Sequence, residues 1–176
     1  MIAKSKQRFG KQLILSFVFI IVAGMFPFSL YSGEQDTVVV ARVKDISSLN
    51  PIESADGKDR QVFQCIFQGL VKRDGKTGKM VNDLAESIEI IDGKDILVKL
   101  RKGIRFHSGH PLTAQDIDFT VKQVLDPKSR SISKFVYKAI KEIEIVDDHT
   151  AIYRLKYPVA IWKNILELGI LSKEYY

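Results

Sequence analysis

The chain has 176 residues, with 27 Lys and Arg against 21 Asp and Glu and a net charge of +6, a length that allows a domain with a real core. Its one cysteine, Cys65, excludes an intramolecular disulfide. The basic excess would point to nucleic acid only if it were spread along the chain, and it is concentrated at one end.

Lys4, Lys6, Arg8 and Lys11 all precede the first acid, Glu34. Leu13 to Phe28 then forms a sixteen-residue stretch of mostly large apolar side chains, interrupted by Ser16, Gly24 and Pro27. A basic start followed by a short apolar segment has the layout of a secretory signal. As a helix this segment covers roughly 24 Å, less than the roughly 30 Å hydrocarbon core of a bilayer. Pro27 also breaks the helix near its end. The pattern predicts a cleaved signal over residues 1–33, with an uncleaved inner-membrane anchor as the alternative. Removing that segment leaves 23 bases against 21 acids, so no nucleic-acid partner is expected. No cysteine follows the apolar run to carry a lipid, so the expected product is exported, periplasmic and soluble after cleavage.

Thr37 to Val43 is β-branched and flanked by polar residues, which predicts a buried strand. Ser47 to Gly57 is a polar connection. Between Asp59 and Val71, Val62, Phe63, Ile66, Phe67 and Leu70 recur at helical spacing, which predicts a helix ending near Gly69. Cys65 in this run reads as a small core residue. Asp74–Gly75 and Gly78 mark a tight turn between short extended pieces. Ser87–Ile91 and Ile96–Leu100 flank Asp92–Gly93–Lys94, a hairpin signal. A glycine-punctuated loop runs from Gly103 to Pro111. Thr113 then predicts an N-cap, with Asp116 in the first turn and Ile117, Val121 and Val124 or Leu125 on one stripe. Asp126–Pro127 ends that helix. Ile143 and Ile145 alternate with Glu142 and Glu144, and Asp147–Asp148 turns the chain into Thr150–Leu155, a further hairpin. Pro158 marks a helix start, followed by Ile161, Ile165, Leu166 and Leu168. The class is mixed α and β, built on hairpins rather than βαβ units.

Catalytic patterns are absent from the residues. Ser108–Gly109 lacks the G-x-S-x-G context of a nucleophile elbow, and the glycines form no phosphate-cradling loop. His107 and His110 stand three apart, with Asp116 and Asp118 beyond. Gly109 and Pro111 deny them helical geometry, so they read as polar loop residues rather than metal ligands. No enzyme activity, cofactor or metal is expected.

The run Leu97-Val-Lys-Leu-Arg-Lys-Gly-Ile-Arg-Phe-His-Ser-Gly-His-Pro-Leu-Thr-Ala-Gln-Asp-Ile-Asp-Phe-Thr120 closely resembles the signature region of family 5 extracellular solute-binding proteins, the peptide- and nickel-type receptors of ABC importers. Leu100–Gly103, Phe106–His107 and Pro111–Ala114 carry the match, while Ser108 and Gln115 depart from the family's acidic residues. Ser48–Pro51, Gln68–Val71, Leu84–Ser87, Ile145–Asp148 with Thr150, and Tyr157–Pro158 continue it in the right order. The resemblance implies an incomplete N-terminal lobe of a two-lobe binding protein over residues 34–176, with the second lobe absent. It implies structural roles for Arg101, Gly103, Phe106, His107, Gly109, Pro111 and Thr113. The loop after the first strand would contribute to the solute wall through Ser48, Asn50 and Ile52, with loop shaping as the competing reading. Implied partners are an oligopeptide or other small solute, ABC transporter membrane subunits, and a separately encoded second lobe. Two functions stay open: a truncated or split solute-binding component unable to hold solute alone, and a stand-alone exported interaction module.

Overall fold

The computed structural model describes residues 41, 45–46, 48–53 and 59–176. Apart from Ala41, these belong to the compact unit Lys44–Tyr176, and that unit alone is considered below. The expected export signal and most of the expected strand Thr37–Val43 lie outside the described residues. Among the described residues no helix is long and apolar enough to cross a membrane.

The elements in chain order are α1 (Arg60–Ile66), β1 (Val71–Arg73), β2 (Met80–Asn82), β3 (Ala85–Ile91), β4 (Asp95–Leu100), α2 (Ala114–Leu125), α3 (Lys134–Tyr137), β5 (Ile140–Asp147), β6 (Thr150–Leu155) and α4 (Trp162–Leu166). Strands β1 and β2 pair as a small hairpin, and a second, four-stranded antiparallel sheet has the order β3-β4-β6-β5. Every pairing is antiparallel, as the alternating runs and turn residues predict.

The β3–β4 turn follows its sequence. Asp92 (φ 50°) and Gly93 (φ 70°) both take the left-handed region, and the Lys94 amide closes on the Ile91 carbonyl at 3.1 Å. In the β4–β6 register Ile96 pairs with Tyr153 and Val98 with Ala151, and these four are buried together with Leu100 and Leu155. Helix α2 covers this face with Ile117, Thr120, Val121 and Val124, which settles the open choice at its end in favour of Val124 over the half-buried Leu125. Each fully buried aliphatic side chain of this kind contributes about 1.5–3 kcal/mol. The opposite face carries Glu89, Lys99, Glu142 and Glu144, all exposed. Period-2 patterning therefore decides which face meets the helix.

Three expectations are corrected. Helix α1 ends at Ile66 rather than near Gly69, and no residue on it is buried. Phe67 is already extended (φ −115°, ψ 145°), because the chain here threads beside the segment after α4. The Ile170 amide bonds the Gln68 carbonyl at 2.9 Å, and a Cβ on Gly69 would stand 2.6 Å from the Glu167 carbonyl oxygen. Cys65 consequently points to solvent, its thiol 3.4 Å from the Gln61 carbonyl, rather than into the core. The last helix starts at Trp162, four residues after Pro158, so Ile161 is left exposed while Ile165 and Leu166 are buried.

Buried polar groups are built into this core. Asp95 accepts the Leu155 amide at 2.8 Å and the Arg154 guanidinium at 2.9 Å, and Arg154 also reaches Glu144 at 2.7 Å. Burial alone would raise the Asp95 carboxyl, but the amide and the guanidinium outweigh it, and the group is held below its ordinary value. Tyr137 donates its hydroxyl to the Ile165 carbonyl at 2.6 Å, fixing α3 against α4, and burial pushes its phenol up.

Candidate functional site

Three segments converge on one open cavity. The first is the loop from Ser48 to Glu53. Ser48 Oγ accepts the Asn50 amide at 3.0 Å, and Asn50 Oδ1 accepts the Ile52 amide at 3.0 Å. These successive side-chain-to-backbone bonds fix the turn of the loop. The Asn50 side chain amide then donates to the Tyr176 hydroxyl at 2.7 Å.

The second segment is the glycine loop before α2. Arg101 donates its Nε to the Asp83 carbonyl at 2.7 Å, and its amide reaches the Leu84 carbonyl at 3.0 Å. Gly103 (φ 78°) and Gly109 (φ 89°) both adopt backbone angles that disfavour other residues. The Phe106 amide bonds the His110 carbonyl, the Gly109 amide bonds the Phe106 carbonyl, and Arg105 bridges to Pro111. The Arg105 guanidinium holds the Gly109 carbonyl at 2.8 Å. The loop is thus a small antiparallel hook that delivers Thr113 to the head of α2. There the Asp116 carboxylate accepts the Thr113 amide at 2.9 Å and its hydroxyl at 3.0 Å.

The third segment is the chain after Gly169, which α2 holds from below. Thr120 Oγ1 accepts the Leu171 amide at 2.9 Å, and Asp116 Oδ1 accepts the Lys173 amide at 2.9 Å. His110 Nδ1 lies 2.6 Å from Glu174 Oε2, and the Phe119 ring meets Tyr176 edge-on at 5.5 Å.

Between these segments lies a cavity of about 610 Å³, walled by Leu49–Pro51, Ile66–Gln68, Ile104–Ser108, Ile170–Ser172, Leu84, Leu112, Tyr175 and Tyr176. Its walls are chiefly apolar, and Arg105 is the one permanently charged side chain among the described lining residues. Such a surface suits apolar groups with a few polar contacts. Among the described residues there is no group of three or more acidic, His or Cys side chains that could hold a metal.

Of the residues expected at the solute wall, Asn50 lines the cavity, Ser48 fixes the loop behind it, and Ile52 is buried at 2% exposure in the core. Of those expected to be structural, Phe106 and His107 line the cavity, Arg101, Gly103, Gly109 and Thr113 make the turns and caps just described, and Pro111 sits in the bridge. Sequence reasoning missed Tyr175, Tyr176 and Ile170–Ser172. The signal was present as an apolar–aromatic segment after the last helical stripe, but it has neither strand nor helix period.

The profile of the bacterial extracellular solute-binding proteins, family 5 Middle, matches residues 79–174. The glutathione-binding protein GsiB of Pectobacterium atrosepticum is 33% identical over 129 residues, 73% of this chain and 25% of that protein. The oligopeptide-binding protein AppA of Bacillus subtilis is 31% identical over 121 residues, 68% of this chain and 22% of that one. Among solved structures, NikZ from Campylobacter jejuni in complex with Ni(L-His) superposes with a TM-score of 0.68 at 27% identity, covering 75% of this chain and 26% of its own. The AppA complex with a nonapeptide gives 0.65 at 31% identity, covering 71% and 25%. The chain spans about a quarter of the length of the curated relatives it matches. Its mixed α and β architecture is that of part of one lobe of a periplasmic binding protein.

Proposed function

This chain belongs to the bacterial extracellular solute-binding proteins of family 5, and we propose that it serves solute capture for an ABC importer, with short peptides as the solute class. The observation that carries this reading is the family match over residues 79–174, which contains the whole glycine hook and its capped helix. Relatives named for glutathione and oligopeptide binding support peptide as the solute and a binding rather than a catalytic role. The reading includes residues 1–33 as a cleaved export signal and residues 34–176 as part of the first lobe. It places the mature chain in the periplasm, facing the membrane subunits of the importer.

In this reading the Ser48–Ile52 loop forms one wall of the solute site. Asn50 offers its side chain, Ser48 sets the loop's turn, and Ile52 anchors it in the core. Arg101, Gly103, Gly109, Pro111 and Thr113 are scaffold. Two-lobe receptors retain solute by closing one lobe over the other and excluding water. A chain corresponding to a quarter of its relatives offers one side of such a site, so solute retention needs further polypeptide.

Uptake tests the proposal directly. Deleting the gene in the cell that carries it is expected to lower import of labelled di- and tripeptides, with restoration by the intact gene. Unchanged uptake across a mixed peptide pool would sink it. Calorimetry of the purified chain with the same pool is expected to show no binding, and micromolar binding would overturn the need for further polypeptide.

A further inference from the structure

We infer that the surface around the short helix α3, where Ile132 and Phe135 stand among Lys128, Arg130, Lys134 and Lys138, is a docking face for an anionic phospholipid bilayer. The inference does not depend on the solute-binding reading and adds a second surface to the chain.

The first argument is charge. Residues 127–141 hold Lys128, Arg130, Lys134, Lys138 and Lys141 and no Asp or Glu. A solvated surface normally intersperses the two signs. Among the described residues, Lys128, Arg130, Lys134 and Lys138 form no ion pair, whereas Lys141 reaches Glu142 at 3.6 Å. The Lys134 ammonium donates instead to the Asp126 and Pro127 carbonyls at 2.6 and 3.1 Å, which folds the loop back on α3 and leaves the charge uncompensated. The bordering acid, Asp126, accepts the Lys128 amide at 2.6 Å. Lys156 lies alongside, its ammonium 2.7 Å from the Lys138 carbonyl, and the neighbouring Tyr157 is exposed.

The second argument is the apolar centre of this basic field. Phe135 is 83% exposed, and no large apolar side chain among the described residues is more so. Ile132 is 51% exposed. The two stand three residues apart across the start of α3, with Lys138 a further three on, a spacing that keeps side chains on one side of a helical turn. Tyr137 faces the core, its hydroxyl on the Ile165 carbonyl at 2.6 Å. Helix α3 is therefore anchored by one side and presents the other to solvent.

Together these features select the partner. A nucleic acid satisfies the cations but leaves the Ile132 and Phe135 side chains without a contact of their own kind. An anionic bilayer satisfies both, because headgroup phosphates meet the cations while the apolar side chains enter the acyl boundary. Each Lys or Arg close to such a surface raises partitioning about fivefold. Hydrogen bonds already fix the loop, so little ordering is left to oppose binding.

A fluorophore placed at the centre of the patch tests this in the full chain. In a Cys65→Ser background, Phe135→Cys carries an environment-sensitive label, and Glu89→Cys on the exposed sheet face carries the same label as a control. Phosphatidylglycerol vesicles are expected to brighten the label at position 135 and shift it to the blue, while the label at position 89 stays unchanged. Pure phosphatidylcholine vesicles are expected to leave both unchanged. Combining Lys128→Gln, Arg130→Gln and Lys138→Gln is expected to weaken the vesicle titration on the order of a hundredfold. Salt at about 1 M, where the Debye length is about 3 Å, is expected to weaken it as well. Circular dichroism checks that each variant is folded. No response at position 135, an equal response to both lipids, or an unchanged titration by the folded triple variant would overturn the inference. So would a response to duplex DNA or polyglutamate without one to vesicles. Vesicle binding and peptide uptake are separate readouts, so failure of one leaves the other standing.

Discussion

The Thr120 hydroxyl accepts the Leu171 amide at 2.9 Å while donating to the Asp116 carbonyl at 2.7 Å. One turn earlier, the Asp116 carboxylate accepts the Lys173 amide. Four residues of helix advance about 6 Å and two residues of extended chain about 6.6 Å, so alternate amides can meet acceptors on one face of a helix. Thr120→Val keeps the side-chain shape but removes the acceptor, leaving a buried N–H unpaired. It is expected to lower unfolding stability by about 1–3 kcal/mol, with Thr120→Ser losing less. Urea denaturation measures both. Equal midpoints for wild type and Thr120→Val would show that this bond does not hold the segment.

Asp95 ties the ends of β4 and β6 through the Leu155 amide and Arg154. Its carboxyl is held below the ordinary value in the folded chain, against about 3.9 when unfolded. The unfolded state therefore binds the proton more readily. The stabilisation is present in full above about pH 5 and is lost as pH falls through the folded value. Asp95→Asn is expected to cost about 1–3 kcal/mol at neutral pH and to flatten the acid limb of the stability curve. Stability of wild type and variant measured from pH 7 to pH 3 checks the sign. Parallel curves would assign the acid sensitivity to other carboxylates.

Where local chemistry fixes a turn or a face, sequence and structure agree. Asp92–Gly93 closes its hairpin, Thr113 starts α2, and Ile96, Val98 and Leu100 face the core. The early end of α1 has an identifiable physical source, the crossing of the Phe67–Leu70 stretch with the segment around Glu167–Ile170. Periodicity over Val62–Leu70 specifies a helix, but a tertiary contact draws Phe67 into extended backbone, and no local pattern encodes a partner one hundred residues away. The same limit hid part of the candidate site. Asn50 was legible from its loop motif, whereas Tyr175 and Tyr176 reach the cavity only because Thr120 and Asp116 hold the segment before them.

That crossing makes Gly69 a sensitive position. A Cβ there would stand 2.6 Å from the Glu167 carbonyl oxygen and 3.0 Å from that of Leu166, both backbone atoms that cannot swing aside. Gly69→Ala is expected to cost about 1–3 kcal/mol through forced backbone shifts, although alanine normally stabilises a chain relative to glycine. Gly75→Ala, where an added Cβ meets nothing within 4 Å, is the matched control and is expected to be near neutral. Thermal unfolding of the pair decides it. Equal losses would show that the close approach relaxes at no cost.

Cys65 offers a chemical test of the α1 correction. A core cysteine is shielded from reagents until the protein opens, whereas an exposed one reacts in the native state. The structure leaves Cys65 exposed on a helix with no buried residue. A maleimide is therefore expected to modify the native chain at a rate within a few-fold of that in denaturant. Cys65→Ser is expected to change stability by less than about 0.5 kcal/mol, as for other surface substitutions. Protection of the thiol by a factor on the order of a hundred would mean that α1 buries this face, and the sequence expectation would stand in its place.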